Sequence, residues 1–370
     1  MKTVQNLVKW VLRWKWQLIA IGVVISTFYP EFVQEFYTNF LFRWLSIGLR
    51  KASGMFTFAI GEYIYLILLI LLIYNILNWL FKLKNKFNKP QFLNNLLYKI
   101  SKIICIVFVF FEFIWGLNYQ QSSPAKSFKL QIPLNYTESQ MDSMSLSLIQ
   151  QLNDSRKMIS DYQLSLVKAN DLVKQTFNHY TNISQLYPFL TYAQPNIKWA
   201  QLPKLGDYIG YLAFYQPITG EAIVRDDLPI LTLPFTISHE IAHQLGYASE
   251  TEANFIAYVL ALHSNDPLFK YAMQLQLFTY SQEAQLFMIA KTGNFKKWET
   301  IIKRNKALLS PKVKLDRQKI RAFFMARQNQ RLPGSEKLYD QFLIWNKQAN
   351  GVDSYNDVLL WALAYQKITT

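Results

Sequence analysis

Two histidines and a glutamate stand at a spacing that suits metal chemistry. They lie in the string His239-Glu240-Ile241-Ala242-His243. On a helix, residues four positions apart project from the same face, so His239 and His243 can hold one zinc ion through their ring nitrogens. Glu240 then lies beside the metal, where its carboxylate can accept a proton from zinc-bound water. The motif predicts a Zn2+ site in which Glu240 acts as the general base.

A catalytic zinc ion needs a third protein ligand, and two glutamates follow the motif closely. Gly246 permits the left-handed turn that ends a helix, and Ser249-Glu250-Thr251-Glu252 has the pattern of a capping box that begins another. Glu250, in the first turn of that second helix, can reach the metal. Asn254, four residues later on the same face, can hydrogen-bond a ligand. We expect Glu250 to be the third ligand and Glu252 to cap the helix, with Glu252 as the alternative ligand.

An ordinary exposed helix can carry the same string with both histidines solvated. The chain has only four histidines and two of them fall in this frame, which favours a metal site. His179 and His263 have no such context, and we interpret them as ordinary surface or core histidines. The single cysteine, Cys105, excludes a disulfide scaffold and a cysteine-based zinc ribbon. The metal must therefore be held by histidine and carboxylate.

A β-hairpin is predicted immediately before the motif. Its strands are 208–215 and 221–224, and the turn Pro217-Ile218-Thr219-Gly220 has proline and glycine where a tight turn favours them. The second strand could add an extended substrate to the sheet by main-chain pairing. Three side chains near this hairpin are candidates for stabilising an oxyanion, and the sequence does not choose among them: Tyr211, Tyr215 and Arg225.

Several short stretches around the motif carry a family resemblance. They are Thr219-Gly220-Glu221-Ala222, Leu233-Pro234-Phe235-Thr236, HEIAHQLGY, Glu252-Ala253-Asn254-Phe255-Ile256-Ala257-Tyr258 and, near the C-terminus, Gly351, Val352, Ser354 and Tyr355. Together with the apolar N-terminal stretches, they resemble an uncharacterised family of bacterial membrane-anchored HExxH proteins in the gluzincin-type zinc metallopeptidase clan.

The resemblance implies a zincin fold, with two ligand-bearing helices and a small sheet whose edge strand binds an extended substrate. It also implies peptidase activity with a catalytic glutamate. Gluzincins carry a glutamate ligand followed four residues later by an acid or amide, and Glu250 with Asn254 matches this pattern. The interval from His243 to Glu250 departs from it, because it is shorter than in the best-known gluzincins and closer to that of metzincins.

The first 117 residues are predicted to form a membrane domain. Apolar stretches at about 10–29, 60–81 and 97–117 are each interpreted as a transmembrane helix. Between the first two, residues 30–55 have an amphipathic pattern that predicts a helix lying on the membrane surface or roofing the helix bundle. Its aromatic and apolar residues recur at steps of three or four: Phe32, Phe36, Phe40, Trp44 and Ile47.

The net charge of +15 is concentrated beside these apolar stretches, since residues 1–117 hold 13 basic and 4 acidic side chains. Basic residues in that position set membrane orientation, so we expect no nucleic-acid partner. They precede the first span and occupy the loop between the second and third: Lys2, Lys9, Arg13, Lys15, Lys82, Lys84, Lys86 and Lys89. These residues should face the cytoplasm, which leaves the rest of the chain on the periplasmic side of a bacterial inner membrane. Glu112, near the outer end of the third span, is interpreted as an interfacial residue.

The sequence therefore predicts a mainly helical α+β protein. N-terminal transmembrane helices (1–117) are followed by a zincin-like metallopeptidase domain (118–370), with a small β-hairpin or sheet beside the HExxH helix. We expect zinc-dependent hydrolysis of a peptide or protein substrate that is extracytoplasmic or close to the membrane, with the lipid bilayer as a second partner. The alternative is a zinc-binding membrane sensor or structural protein with the same fold and little or no hydrolytic activity.

Overall fold

The structure is a computed structural model that describes most of the chain. The described residues are 2–83, 90–334, 337, 340, 341 and 357–369. Two groups of residues used in the sequence predictions lie outside them: the C-terminal Gly351, Val352, Ser354 and Tyr355, and the loop residues Lys84, Lys86 and Lys89.

The described residues of the N-terminal part are mostly helical. Its elements are α1 (Lys2–Ser26), α2 (Pro30–Phe32), a π-helix (Val33–Phe42), α3 (Arg43–Ser53), α4 (Ile60–Leu83), α5 (Pro90–Ile114) and a 3-10 helix (Gly116–Gln120).

The remainder combines helices with three short strands. The helices before the first strand are α6 (Pro124–Ser127), α7 (Glu138–Lys157), α8 (Asp161–Leu166), α9 (Ala169–Leu186) and a 3-10 turn (Pro188–Leu190). The strands are β1 (Ile197–Trp199), β2 (Ala213–Gln216) and β3 (Glu221–Val224), with α10 (Leu205–Ile209) between the first two. The last helices are α11 (Leu233–Gln244), α12 (Glu250–His263), α13 (Pro267–Thr292), α14 (Phe295–Leu308), α15 (Pro311–Gln328) and α16 (Val358–Thr369). The predicted mainly helical α+β class is confirmed.

The sheet differs from the predicted hairpin in the position of β3. The strand order is β1-β3-β2, in which β3 pairs in parallel with β1 and antiparallel with β2. The turn and the second strand are therefore confirmed, but β3 is central. Because both of its edges are already paired, the prediction that β3 adds a substrate strand is wrong. β1 was not predicted, because three residues are too few to show a strand pattern.

The first half of the predicted strand 208–215 is also different. Leu205–Ile209 is the helix α10, and Gly210 ends it in the left-handed region with a φ of 97°. Only Ala213–Gln216 pairs with β3. The apolar run was too short to distinguish a strand from a buried helical turn by periodicity.

The HExxH helix α11 lies at the centre of the main core. It packs against β2 and β3 on one side and against α9, α12 and α13 on others. Ile237 and Ile241 are fully buried there, and burying each such side chain stabilises the fold by roughly 2 kcal/mol. This packing holds α11 rigidly, and its histidine face with it.

Among the described residues, one helix is by its length and composition able to cross a membrane. It is Ile60–Phe81, 22 residues whose most apolar window has no buried residue. A second candidate is the bent pair formed by Gln5–Ser26 and Pro30–Ser53, which meet at 101°. In the part of the chain that the structure describes, α5 does not meet the same criterion. The predicted three-span arrangement thus remains a proposal, with one clear span.

The predicted amphipathic segment 30–55 is helical, and it has two distinct faces. Its predicted aromatic stripe, Phe32, Phe36, Phe40 and Trp44, is exposed. The opposite face is buried against the rest of the protein and comprises Val33, Tyr37, Thr38, Phe42, Ser46, Arg50 and Ser53. The segment therefore covers part of the protein core with its less apolar face.

Candidate metal centre

Helices α11 and α12 carry the three groups predicted to bind metal. α11 ends at Gln244, and Gly246 adopts the left-handed region with a φ of 100°, so α12 turns back alongside α11. A Cβ at Gly246 would also come within 3.0 Å of the Phe42 ring. The tight glycine turn is what brings Glu250, the first residue of α12, to the histidine face of α11.

The three side chains converge at short range. Nε2 of His239 lies 3.0 Å from Nε2 of His243 and 3.1 Å from Oε2 of Glu250, and the His243–Glu250 pair is 3.8 Å apart. Nitrogen and oxygen ligands at 2.0–2.1 Å from a tetrahedral zinc ion stand about 3.3 Å from one another. The three groups lie within 4.8 Å of one another and are buried. The cluster could hold a metal ion, and its geometry does not identify which one.

The other ring nitrogen of each histidine is held by a carbonyl oxygen. Nδ1 of His239 donates to Oδ1 of Asn254 at 2.8 Å, and Nδ1 of His243 donates to the main-chain oxygen of Tyr247 at 2.7 Å. Each bond places the ring proton on Nδ1 and leaves the Nε2 lone pair facing the cluster. Two lone pairs only 3.0 Å apart repel each other unless a metal ion or a proton lies between them. This donor arrangement therefore fits a metal ion.

Charge couples the same three groups. Burial opposes a positive charge on His243, but hydrogen bonding and attraction from Glu250 outweigh it and raise the pKa of His243 to about 9. Burial alone would raise the pKa of Glu250, whereas hydrogen bonds and attraction from both histidines hold that pKa well below its usual range. The cluster thus favours an anionic Glu250 facing positive charge, which a divalent cation supplies.

Glu240 is buried next to this cluster. Within the described residues, its Oε2 atom has no hydrogen-bond partner. Burial raises the pKa of Glu240, an effect that the neighbouring histidines partly oppose. An unpaired carboxylate oxygen inside a protein is costly in free energy and needs an explanation. A carboxylate held ready to take a proton beside a metal provides one.

The predicted capping box does not form. Ser249 is the N-terminal cap residue of α12, but its side chain accepts no capping hydrogen bond. Glu252 is buried instead, and burial raises its pKa to about 8, with His243 opposing the shift. The prediction that Glu252 serves as a cap is therefore wrong, although Glu250 rather than Glu252 joins the histidines. The tertiary packing of α12 overrides the local capping preference.

The cluster is covered by residues from the N-terminal part of the chain. The Trp115 ring, just after α5, lies edge-on to His243 with 6.0 Å between ring centroids and packs against Phe42 and Tyr215. Gln121 Nε2 donates to the main-chain oxygen of Gly246 at 2.5 Å. His239, Glu240, His243 and Glu250 are each less than one-tenth exposed. Trp115 was interpreted from sequence only as an end of a span, because no local pattern links it to His243.

The three oxyanion candidates occupy different surroundings. Tyr211 donates its hydroxyl hydrogen to the Leu202 carbonyl. Arg225 forms ion pairs with Asp207 and Asp227. Tyr215 is buried against Trp115, whose ring also lies against His243. Arg225 is therefore committed to a structural ion-pair network.

The other residues discussed in the sequence analysis lie apart from the cluster. His179 packs on Phe269, and His263 hydrogen-bonds Tyr365. Neither belongs to the metal-binding group. Glu112 lies in the last turn of α5, with its carboxylate against Gly116, where an added Cβ would come within 2.7 Å of it.

Fold and site together define a mainly helical protein with a small sheet and a buried His-His-Glu cluster that could hold a metal ion. The chain belongs to the family described as "Protein of unknown function (DUF3810)", whose model it matches over residues 37–363. No curated protein matches the chain. No solved structure matches it either.

Proposed function

We propose that this protein is a zinc-dependent peptidase anchored in a membrane. The observation that carries the proposal is the convergence of two helical histidines and Glu250, with Glu240 buried beside them and one carboxylate oxygen unpaired among the described residues. A purely structural metal site has no use for such a carboxylate. Membership of the gluzincin-type clan, suggested by the sequence, is part of the same proposal.

His239, His243 and Glu250 would hold the zinc ion, and Asn254 and the Tyr247 carbonyl orient the two imidazoles. When bound, zinc supplies a Lewis acid and lowers the pKa of water towards neutrality. Glu240 acts as the general base: it takes a proton from the attacking water and returns it to the leaving amine nitrogen. Its raised pKa suits both steps.

The substrate strand is assigned to the outer edge of β2. The β2 strand contacts α11 and pairs with β3 on one side only. The Leu212 oxygen accepts from the Arg225 amide at 3.2 Å, so the alternating pattern directs the main-chain groups of Ala213 and Tyr215 outward. An extended peptide can add there as a further strand, main chain to main chain. In this proposal β2, and not β3, is the strand that pairs with the substrate.

The membrane arrangement completes the proposal. Ile60–Phe81 crosses the bilayer, α1 and α5 accompany it, and the residues from 118 onward lie on the periplasmic side of a bacterial inner membrane. Support comes from the apolar surface of α4 and from the basic residues in the first half of α1 and in the sequence at and after the end of α4. Residues on the two sides of the predicted boundary at residue 117 are in contact, since Ser46 donates to the Gln244 oxygen at the end of α11.

A zinc-binding protein without hydrolytic activity is the competing proposal. The observation that favours it is the cover over the cluster, since Trp115 and Gln121 close the site to a polypeptide in this conformation. A peptidase must displace these residues to admit a substrate. Whether Glu240 is needed for any reaction separates the two proposals.

The decisive experiment compares the native protein with Glu240→Gln, using Glu299→Gln as a matched control at an exposed position. We expect all three proteins to bind one zinc ion, measured by elemental analysis. Only Glu240→Gln should lose hydrolysis of a denatured generic protein substrate, by about a hundredfold or more. Cleavage by Glu240→Gln at the native rate would overturn the peptidase proposal. Comparison of the peptides released by membranes that carry each form would then identify natural substrates.

A further inference from the structure

The segment Pro30–Ser53, hereafter the interface segment, runs across the direction of α1. Gln5–Ser26 and the interface segment meet at 101°. A helix perpendicular to a membrane-crossing neighbour lies parallel to the bilayer plane. The interface segment can therefore rest on the membrane surface along its length.

One face of the interface segment is attached to the metal-binding helix. Arg50 donates to the main-chain oxygens of Gln244, Gln194 and Ala193 at 2.8 to 3.0 Å. Ser46 donates to the Gln244 oxygen at 3.0 Å, and Phe42 packs against Trp115. The bonds from Ser46 and Arg50 to Gln244 satisfy a carbonyl group at the C-terminal end of α11. The interface segment therefore fixes its own position relative to the end of the metal-binding helix α11.

The opposite face carries a stripe of exposed aromatic side chains. Phe32, Phe36, Phe40 and Trp44 are 55%, 56%, 64% and 65% exposed. Large aromatic groups in such a row are unfavourable in water but typical of the membrane interface. Arg43 and Lys51 are also exposed on the segment, where they can reach lipid headgroups. The stripe is therefore suited to contact with lipid.

The first turn of the apolar helix α4 is attached to the sheet that packs against α11. The Glu221 carboxylate of β3 accepts from the main-chain nitrogens of Ile60 and Gly61 at 3.2 and 2.7 Å. Glu62 accepts from the Gln201 nitrogen at 2.6 Å. The sheet is thus fastened directly to the first turn of α4, and the exposed apolar part of α4 follows at once. At the end of α5, Trp115 touches His243. The metal-binding helix α11 is therefore joined through β3 to the first turn of α4 and through Trp115 to the end of α5, two of the proposed membrane helices.

We propose that the aromatic stripe of the interface segment is embedded in the outer bilayer surface, so that the metal cluster cuts membrane-anchored polypeptides in the residues next to their membrane anchor. The second half rests on the proposed peptidase function. Anchoring of enzyme and substrate in the same bilayer raises the effective concentration only of bonds held at the height of the cluster. A bond far from the bilayer gains much less. The favoured substrate class is therefore the juxtamembrane stretch of a membrane protein or lipid-anchored peptide.

The position of the stripe is tested with nitroxide labels on the full chain in vesicles of phosphatidylethanolamine and phosphatidylglycerol. In a Cys105→Ser background, Phe40→Cys marks the stripe and Leu134→Cys, an exposed position after the membrane part, is the control. We expect oxygen to relax the label at 40 more strongly than a water-soluble nickel complex does, and the reverse at 134. Equal access of the nickel complex to both labels would overturn the proposal.

The substrate class is tested with one cleavable sequence in three settings. It is placed directly after a membrane anchor, after the same anchor and a flexible spacer of about 40 residues, or in a soluble peptide. In vesicles, the first should be cut at least about tenfold faster than the second. Equal rates for the two anchored substrates would contradict the proposal. If none of the three is cut by zinc-loaded protein, the peptidase function and the substrate class both fall, while the label result still decides the position of the stripe.

Discussion

Helices α4 and α12 invert the usual relation between polarity and burial. In α12, every residue from Glu250 to Ala261 is buried, although the helix begins with two glutamates and carries Asn254. In α4, the most apolar stretch of the chain, no residue of the spanning window is buried. One helix of this protein therefore exposes its apolar residues, and the other buries its acidic residues.

The inversion shows that the two helices have different surroundings. In the proposed membrane arrangement, the apolar side chains of α4 contact lipid, which is as apolar as a protein core. Acidic side chains on α12 are tolerated because Glu250 faces two histidines and Asn254 holds one of them. Buried polar groups that lower stability are retained where they serve a site.

Removal of a ligand from the α11–α12 cluster should have the largest effect. His239→Ala, His243→Ala and Glu250→Ala should each abolish stoichiometric zinc binding, because two ligands cannot hold the ion tightly. Elemental analysis after dialysis measures this. His263→Ala and Glu252→Ala, which alter residues outside the ligand set, should keep the metal. If Glu252→Ala loses zinc while Glu250→Ala retains it, the ligand assignment is wrong.

A charge in the middle of α4 tests the other side of the comparison. Ile70→Arg should disfavour membrane insertion by about 3 kcal/mol, because an arginine at the bilayer centre must be desolvated. Protease protection of the C-terminal residues in isolated membranes reports the topology. The matched control is Leu315→Arg on α15. Because that position is exposed, we expect the free energy of unfolding to change by less than about 0.5 kcal/mol. An unchanged protease-protection pattern in Ile70→Arg would show that α4 does not lie in lipid.

Asn254→Ala should weaken metal binding without abolishing it. The amide oxygen fixes the ring of His239, and loss of such a support typically lowers metal affinity ten- to a hundredfold. Competition with a zinc chelator gives the dissociation constant. Asn254→Asp, which keeps an acceptor oxygen, should restore most of the affinity. An unchanged constant in Asn254→Ala would remove this residue from the site.

Glu221→Ala should have the smallest of these effects. It leaves the amides of Ile60 and Gly61 without their carboxylate acceptor, at a cost of about 2 kcal/mol in the free energy of unfolding. Thermal unfolding in detergent measures the change. The exposed Glu31→Ala should be neutral within about 0.5 kcal/mol. Equal stability of the two variants would mean that the sheet does not fasten α4.

Much of the site could be predicted, because it depends on helix geometry that is local in sequence. The four-residue spacing of His239 and His243 places both rings on one face of any helix, and Gly246 forms the turn that returns the chain. Glu252 shows the limit of such reasoning. Its position suited a capping box, but the packing of α12 buried it, because burial of the apolar residues of that helix stabilises the fold by more than one cap does.

The structure of the interface segment, Pro30–Ser53, could be predicted only in part. Periodicity revealed the aromatic stripe from Phe32 to Trp44, but an amphipathic pattern does not say which face meets protein and which meets lipid. In the structure the stripe is exposed, and the face with Phe42, Ser46 and Arg50 is buried. Lipid and protein core are both apolar, so periodicity cannot distinguish them.

The sequence by itself determined the ligand types, their helical spacing and the apolar length of 60–81, since each depends on neighbours within a few turns. Only the tertiary structure decided that β3 is central, that Glu250 reaches the histidines and that Trp115 lies over His243. The last contact joins residues 128 positions apart. Such pairings depend on how whole elements pack, which no local pattern encodes.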